Sequence, residues 1–316
     1  MKPAILFAMP ISQKLQDRLA ERYEVLGPLD RANPLPIPEA ARGARALITL
    51  GSLRTDKAMM DALPDLGLIC CYGTGFEGVD RAEAASRGIK MTHAGDSNAT
   101  SVAEFAMGLV IATARNLVRG DRMLRAGKWA SLSLERVPIT PGLAGHKLGI
   151  YGMGSIGLKI AQRAAAFEME IGYHNRSRRT DVPYGYHGSL MELAAWSDVL
   201  VVAVRASAEN RHAINAEVLD ALGPNGFMVN ISRGIAVDEL ALCEALETNR
   251  IAGAGLDVYQ NEPHVPERFM ALENVVLTPH MSALSRTAQS AQQKVLIDNL
   301  DGFFSGRPLS SEMPLA

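Results

Sequence analysis

The sequence has few cysteines, few aromatic residues and no long apolar run. Three of its 316 residues are cysteines, Cys70, Cys71 and Cys243, and 5% are aromatic. Neighbours such as Cys70 and Cys71 rarely pair with each other, so no disulfide framework is expected and a reduced, cytoplasmic location is the simplest interpretation. Because these two cysteines end an apolar run, we expect them to be buried as small hydrophobic residues. No apolar stretch approaches the ~18–20 residues of a membrane span, so no membrane partner is expected.

The sequence also lacks an excess of charge of either sign. Lysine and arginine total 32 and aspartate and glutamate total 34, giving a net charge of −2 with both signs interspersed. This balance argues against nucleic acid or an anionic membrane as a partner. The sequence contains no nucleophile elbow and no cluster of metal ligands, so no metal site is expected. Its length and its 47% of hydrophobic residues suit a protein of two globular domains.

Short apolar runs rich in β-branched residues alternate with helical patterns along most of the chain. This alternation predicts parallel sheets built from βαβ units. In the first hundred residues, strands are predicted at Ala4–Ala8, Ala46–Leu50 and Leu66–Tyr72. From Lys147 onward, strands are predicted at Leu148–Tyr151, Ile171–His174, Val199–Val204, Phe227–Ile231, Gly253–Leu256 and Val275–Leu277. Six short strands with helices between them fit a doubly wound sheet.

Two helical segments stand outside this alternation. Ser101-x-x-Glu104 has the form of a capping box, which predicts the start of a long helix that continues to Leu117. A loop rich in proline and glycine follows, from Pro138 to Gly145. The last helix, from about Leu284 to Phe304, lies beyond the second set of strands. Because chain ends often lie close together, we expect it to return to the N-terminal domain.

A G-x-G-x-x-G motif spans Gly152–Gly157, between a predicted strand and a helical pattern over Leu158–Phe167. In that context the motif favours dinucleotide binding. The first glycine allows a tight turn, the second lets the backbone approach a pyrophosphate, and the third lets the helix pack on the strand. The N–H groups at the start of the helix then attract the phosphates. The alternative is a flexible turn that binds nothing.

The segment about 20 residues beyond this motif indicates which dinucleotide binds. An acidic residue there would bind the hydroxyls of the adenosine ribose. The segment reads His174-Asn175-Arg176-Ser177-Arg178-Arg179 and contains no acid. Guanidinium and hydroxyl groups can instead bind a 2′-phosphate through charge-assisted hydrogen bonds. The sequence therefore predicts NADP(H) rather than NAD(H), and a solvated basic loop is the alternative.

Three candidate reacting residues, Arg233, Glu262 and His280, follow three successive predicted strands. Doubly wound sheets place ligand contacts at the carboxyl ends of their strands. Histidine is a natural proton donor near neutral pH, and a carboxylate beside it favours its charged form, while arginine can polarise a carbonyl oxygen. These residue types suit hydride reduction of a 2-oxo acid. Taken singly, Glu262 could be a solvated loop acid and His280 a core histidine.

The chain resembles the D-isomer-specific 2-hydroxyacid dehydrogenases, and glyoxylate/hydroxypyruvate reductases among them, over essentially its whole length. The motifs that carry the resemblance are N-A-T-S-V-A-E from Asn98, G-M-G-S-I-G from Gly152, N-I-S-R-G from Asn230, G-L-D-V-Y-x-x-E-P ending at Pro263, and T-P-H ending at His280. The resemblance implies Arg233 as the residue that binds and polarises the substrate. It implies His280 as the acid/base and Glu262 as its partner. Formate dehydrogenases of this family have glutamine in place of Glu262, which argues against that activity.

The resemblance also implies further contacts with a small 2-oxo or 2-hydroxy acid and with the cofactor. Gly73, Thr74 and Gly75 are expected to present backbone amides to the substrate carboxylate, with Leu53 lining the pocket and Asn98 near the substrate. The expected cofactor contacts are Gly152, Met153, Gly154, Ser155, Ile156, Asn175, Arg176, Ser177, Val204, Ile231, Ser232, Asp257 and Ser282. The chain departs from the family where Met281-Ser282-Ala283 replaces a common glycine and where Ala203–Ala206 replaces a turn that usually contains proline.

The implied architecture is an α/β protein of two doubly wound parallel-sheet domains. A Rossmann dinucleotide-binding domain, residues 98–283, is inserted into a flavodoxin-like substrate domain, residues 1–97 and 284–316. The resemblance further implies a homodimer, because the segment after Asn98 forms an arm around a second subunit in the family. Two alternatives stay open. One is an NAD-linked dehydrogenase for a larger, aromatic 2-oxo acid, and the other is a dinucleotide-sensing scaffold like the transcriptional corepressors that resemble these enzymes.

Overall fold

The computed structural model describes residues 2–30, 33–129 and 139–314. The chain divides into two compact units, one made of Met1–Asn98 with Ser285–Ala316 and the other of Ala99–Leu284. Within the described residues the strands are β1 Ala4–Phe7, β2 Glu24–Leu26, β3 Ala46–Thr49, β4 Leu68–Cys71, β5 Lys90–Thr92, β6 Lys147–Tyr151, β7 Glu170–His174, β8 Gly185–Tyr186, β9 Val199–Val202, β10 Phe227–Asn230, β11 Gly253–Leu256 and β12 Val275–Leu277. The α-helices are α1 Gln13–Ala20, α2 Lys57–Asp61, α3 Arg81–Ser86, α4 Ala99–Ala114, α5 Leu117–Arg125, α6 Ser155–Ala165, α7 Leu190–Trp196, α8 Ala216–Leu222, α9 Glu239–Glu247, α10 Glu267–Ala271 and α11 Arg286–Ser305.

The first unit contains a parallel sheet of five strands in the order β2-β1-β3-β4-β5. This 2-1-3-4-5 order is that of flavodoxin-like folds, which confirms the predicted class. The central strands β3 and β4 are buried along their whole length, as expected of a parallel sheet that is covered on both faces. On one face, Leu296 and Leu300 of α11 share a core with Leu68 of β4 and Ile5 of β1.

The second unit contains a parallel sheet of seven strands in the order β12-β11-β10-β9-β6-β7-β8. Counted from β6, this is the Rossmann order 3-2-1-4-5-6 with β12 as one further strand, so the predicted Rossmann class is also confirmed. The connections leave β6 toward β7 on one side and return to β9 on the other. Such a switch point is where doubly wound sheets bind ligands, outside the carboxyl ends of the strands.

Three short strands were missed by the sequence analysis: β2, β5 and β8, each of two or three residues at the edge of a sheet. A strand at an edge pairs on one side alone and can be short and partly polar. Such strands do not produce the continuous apolar run that identifies a central strand.

The capping box predicted at Ser101 and Glu104 is wrong, because α4 already begins at Ala99. Ser101 lies inside the helix, where it is buried and its hydroxyl donates a hydrogen bond to the carbonyl oxygen of Ser282 at 3.1 Å. Glu104 is exposed and pairs with Arg163 at 3.2 Å. The long helix is also broken: α4 ends at Ala114, and α5 begins after a bend of 62°. The predicted loop from Pro138 begins outside the described residues.

The two adjacent cysteines are buried in the first sheet, as predicted. Burial raises the pKa of the Cys70 and Cys71 thiols to about 12, so both remain neutral. Among the described residues no single helix is long and apolar enough to cross a membrane. The bent pair of α4 and α5 meets those criteria together, by length and composition alone.

Candidate active site

The G-x-G-x-x-G loop joins β6 to α6 at the switch point of the second sheet. Gly152 has φ +108°, and a Cβ there would lie 2.6 Å from the backbone nitrogen of Val204, so the turn requires glycine. A Cβ on Gly157 would lie 2.2 Å from the carbonyl oxygen of Gly152, so Gly157 lets α6 approach the loop. A Cβ on Gly154 would meet no heavy atom within 4 Å. The loop is therefore packed against protein at Gly152 and Gly157 and open at Gly154.

The start of α6 suits a negatively charged group. Gly154 is the N-cap residue, and no side chain of the described residues caps the first turn, which begins with Ser155 and Ile156. The N–H groups of this turn and the positive end of the helix dipole favour an anion. Together with the open backbone at Gly154, these features fit the pyrophosphate of a dinucleotide.

Two residues of the predicted cofactor-selecting segment bind the peptide groups of Met153 in this loop. The side-chain oxygen of Asn175 accepts a hydrogen bond from the N–H of Met153 at 2.6 Å. Arg179 donates from Nη1 to the carbonyl oxygen of Met153 at 2.9 Å, and its Nε donates to Asp181 at 2.9 Å. Arg179 is thus occupied by protein contacts, and Asn175 shapes the phosphate loop.

Arg176 and Ser177, in contrast, extend into solvent after β7. The Arg176 side chain is 89% exposed and pairs with Glu209, itself 78% exposed, at 3.4 Å. An exposed ion pair is worth about 0–1 kcal/mol, so a bound phosphate could replace Glu209 at little cost. The Arg176 guanidinium is therefore available for an anion near the end of β7.

The loop that carries Arg233 follows β10 and is shaped by Asn230. The side-chain oxygen of Asn230 accepts hydrogen bonds from the N–H and the hydroxyl of Ser232, at 3.0 and 2.9 Å, and its amide nitrogen donates to the carbonyl oxygen of Arg233. Asn230 is buried. Arg233 donates from Nη1 to the carbonyl oxygen of Ser232 at 2.7 Å. Asn230 belongs to the N-I-S-R-G motif, which by itself indicated no role for it, and in the structure these three hydrogen bonds hold the loop that carries Arg233.

Glu262 and His280 form a hydrogen-bonded pair in the loops that follow β11 and β12. His280 Nδ1 lies 2.7 Å from Glu262 Oε2, and the other oxygen of Glu262 accepts from the N–H of Tyr259 at 3.1 Å. Burial acts to raise the pKa of Glu262, but the bonds from His280 and Tyr259 and the charge of Arg233 together lower it. Glu262 is therefore ionised at neutral pH and holds Nδ1 of His280 through a carboxylate oxygen.

A buried aspartate holds the turn on which His280 stands. Asp257 is fully buried, and its Oδ1 accepts hydrogen bonds from the Thr278 hydroxyl at 2.7 Å and the Met281 N–H at 2.9 Å. Its Oδ2 accepts from the N–H of Ser282, also at 2.9 Å. Between them His280 has φ +49°, a conformation that is unfavourable for residues other than glycine. Asp257 therefore positions His280, and its expected contact with the cofactor stays a prediction.

Gly234 brings the Arg233 loop against the turn that carries Glu262. A Cβ on Gly234 would lie 1.9 Å from the carbonyl carbon of Tyr259 and 2.2 Å from the nitrogen of Gln260. Any side chain would force these two loops apart. The close approach explains why the arginine of the N-I-S-R-G motif is followed by glycine.

The remaining predicted cofactor residues lie at the same edge of the second sheet. Ile231 and Ser232 follow β10 and are buried, Ser282 is buried beside Asp257, and Val204 follows β9 and is half-buried. Across the parts of the chain that the structure describes, no group of three or more His, Cys, Asp or Glu side chains is arranged to hold a metal ion.

The five predicted substrate residues lie in the first unit, four of them in the loops after β3 and β4. These two loops pack tightly, because a Cβ on Gly51 would lie 1.8 Å from the carbonyl oxygen of Gly75. Leu53 is half-buried in the first of these loops, and Gly73, Thr74 and Gly75 form the start of the second. Asn98, at the end of this unit, is buried, and its side-chain oxygen has no hydrogen-bond partner among the described residues. The structure thus places Leu53 and Gly73–Gly75 beyond the carboxyl ends of β3 and β4, and Asn98 at the last residue of the N-terminal segment of this unit.

Comparison with known proteins gives matches over nearly the whole chain. The family described as D-isomer specific 2-hydroxyacid dehydrogenase, NAD binding domain, matches residues 107–282. A hydroxyphenylpyruvate reductase of Plectranthus scutellarioides is 37% identical over 309 residues, which cover 96% of this chain and 97% of the relative. Glyoxylate/hydroxypyruvate reductase A of Arabidopsis thaliana is 36% identical over 306 residues, again with 96% and 97% coverage.

A solved structure is equally similar. The NADPH-dependent glyoxylate/hydroxypyruvate reductase of Sinorhizobium meliloti, in complex with NADP and malonate, superimposes with a TM-score of 0.91 at 37% identity. The match covers 100% of this chain and 98% of that one.

Proposed function

The chain belongs to the D-isomer-specific 2-hydroxyacid dehydrogenase family, and from this premise we propose that it reduces glyoxylate or hydroxypyruvate with NADPH. The observation that carries the proposal is the pair of His280 and Glu262, joined at 2.7 Å at the carboxyl ends of neighbouring strands. The phosphate loop at Gly152 lies at the same edge of the same sheet. The second unit therefore combines a dinucleotide site with a proton donor, as reduction of a carbonyl group requires.

The chemistry of the three polar residues suits this reaction. NADPH, when bound, supplies the hydride that reduces the carbonyl carbon. His280 donates a proton to the developing alkoxide from Nε2, since Nδ1 is held by Glu262. Arg233 binds the substrate carboxylate and stabilises the negative oxygen through its fixed positive charge. In the reverse direction the neutral His280 accepts the proton of the 2-hydroxy acid.

The choice of NADP(H) is supported by the residues after β7. No carboxylate occupies the position where it would bind ribose hydroxyls, and the exposed Arg176 and Ser177 can bind a 2′-phosphate. The related enzyme of Sinorhizobium meliloti is NADPH-dependent and was solved with NADP.

A small substrate is supported by the glyoxylate/hydroxypyruvate reductases among the relatives. The backbone of the first unit supports the binding of its carboxylate. We infer that the N–H groups of Gly73, Thr74 and Gly75 bind the substrate carboxylate, that Leu53 lines the pocket, and that the unpartnered side-chain oxygen of Asn98 accepts a hydrogen bond near the substrate. Backbone amides suit this task because they are donors fixed in place by the fold.

A panel of 2-oxo acids assayed with both nucleotides tests the proposed function. We expect the highest kcat/KM for glyoxylate or hydroxypyruvate with NADPH. The panel includes 4-hydroxyphenylpyruvate, because one relative of 37% identity is a hydroxyphenylpyruvate reductase. The highest kcat/KM for that aromatic acid with NADH would instead support an NAD-linked enzyme for larger acids. Binding of NADPH without turnover of any acid would support a dinucleotide-sensing scaffold.

A homodimer is the proposed assembly. Helix α5 has no buried residue, and Leu117 and Leu124 on it are more than half exposed. Large apolar side chains exposed together on one helix favour burial against another chain. Light scattering at micromolar concentration is expected to give twice the chain mass of 34.0 kDa. A mass equal to that of one chain would refute the dimer.

The location and the absence of a nucleic-acid partner are also part of the proposal. A net charge of −2 with both signs interspersed argues against a nucleic-acid partner. Buried, unpaired cysteines suit a reducing compartment such as the cytoplasm.

A further inference from the structure

The turn that carries Glu262 is held by a second carboxylate, that of Glu239 at the start of α9. Glu239 Oε1 accepts a hydrogen bond from the N–H of Gln260 at 2.7 Å. The side chain of Gln260 in turn donates to the carbonyl oxygen of Val237 at 2.7 Å. The residue before Gln260 donates its own N–H to Glu262. Two carboxylates therefore bind consecutive N–H groups of one turn, which places their charges close together.

The groups around this turn differ between the two carboxylates. Glu239 interacts with Glu262 and His212. Tyr259 and Cys243 also lie near it, but burial raises their pKa values to about 12 and about 11, so both are neutral at neutral pH. Glu262 interacts with His280 and with the charge of Arg233. Burial is the main cause that raises the pKa of Glu239 above its usual value, and the bond from Gln260 and the interaction with His212 oppose it.

His212 contributes to this arrangement from the segment that precedes α8. Its Nε2 is buried and has no hydrogen-bond partner among the described residues. Its backbone N–H donates to the carbonyl oxygen of Ile235 at 2.8 Å, which ties it to the segment between Arg233 and Glu239. Its imidazole acts electrostatically on Glu239.

From this geometry we propose that Glu239 is a positioning residue of the proton-transfer pair. It fixes the turn that carries Glu262, and so holds Glu262 where it binds His280 Nδ1. The inference rests on the proposed function, in which His280 donates the proton. None of the motifs quoted in the sequence analysis includes Glu239. Its contact with Gln260 joins the start of α9 to a loop 21 residues along the chain, which a short motif does not reveal.

The variant Glu239→Gln separates charge from position. Glutamine keeps an oxygen that can accept the bond from Gln260, so the turn stays in place, but it removes the negative charge. Because the turn is kept, kcat and the pH profile of kcat/KM for reduction should stay close to those of the unmodified enzyme.

Two further variants make the test decisive. Glu244→Gln removes the same charge from the exposed face of α9 and should leave the profile unchanged. Glu239→Ala removes the acceptor as well and should lower kcat several-fold at every pH, with the Kd for NADPH unchanged. If Glu239→Ala keeps the kcat of the unmodified enzyme while His280→Ala is inactive, or if Glu239→Gln loses kcat as Glu239→Ala does, Glu239 does not act by holding the turn and the inference is wrong. If His280→Ala is fully active, the proposed function itself fails.

Discussion

Replacing His280 by alanine is expected to lower kcat for 2-oxo acid reduction by ~10²–10⁴ while the Kd for NADPH stays nearly unchanged. The structure gives the reason: His280 is held through Nδ1 by Glu262 and follows the edge strand β12, which three strands separate from β6 and its glycine-rich loop. Its removal takes away the proton donor without altering Gly152 or Gly154. Steady-state kinetics and fluorescence titration of NADPH measure the two quantities separately.

His264→Ala is the matched control, because His264 is an exposed histidine close to Glu262 in the same loop. It should retain full activity. Glu262→Gln should remain active, but the pH profile of kcat/KM for reduction should move toward lower pH, because the neutral amide no longer favours the imidazolium. Near-normal kcat for His280→Ala at neutral pH would remove His280 from the mechanism.

The positions of the candidate reacting residues could be predicted from the sequence because the sheet is regular. Runs such as Phe227–Ile231 and Gly253–Leu256 identify buried parallel strands, and whatever follows such a strand lies at the ligand-binding edge. This logic requires no knowledge of distances. It led to Arg233, Glu262 and His280, and the structure brings Glu262 and His280 into direct contact.

The residues that fix this geometry could not be predicted in the same way. Asp257 lies 23 residues before His280 and Asn230 lies three before Arg233, and each acts through hydrogen bonds to backbone groups. Backbone contacts of this kind leave no periodic pattern, because they depend on the path of a loop and not on a repeating face. The same holds for Gly234, whose role is a close approach to a loop from another strand.

In the basic segment after β7, the composition indicated binding of an anion but did not show which arginine is available to bind it. The sequence places Arg176, Arg178 and Arg179 together, and their charges look alike. In the structure Arg179 is bound to Met153 and Asp181, whereas Arg176 is exposed. Only the three-dimensional arrangement distinguishes the arginine that supports the phosphate loop from the one that is available to a ligand.

Arg176→Ala is expected to weaken NADPH by about 10–150-fold, because a charge-assisted hydrogen bond is worth ~1.5–3 kcal/mol. NADH, which lacks the 2′-phosphate, should bind as before. Little has to be broken for Arg176 to reach the phosphate, since its present partner Glu209 is exposed and lies 3.4 Å away. The measurement is kcat/KM for both nucleotides, in the unmodified enzyme and in the variant. Arg178→Ala removes an equal charge from the same loop and measures the general electrostatic effect.

The double variant Asn175→Asp with Arg176→Ala should go further and move the preference toward NADH. Asn175 already accepts the N–H of Met153 at 2.6 Å, and an aspartate can keep that bond with one carboxylate oxygen. The other oxygen then accepts from the ribose hydroxyls, and its charge repels a 2′-phosphate. A preference of the unmodified enzyme for NADH would contradict the NADP assignment. Equal weakening of both nucleotides by Arg176→Ala would show that Arg176 supports the loop and does not recognise the phosphate.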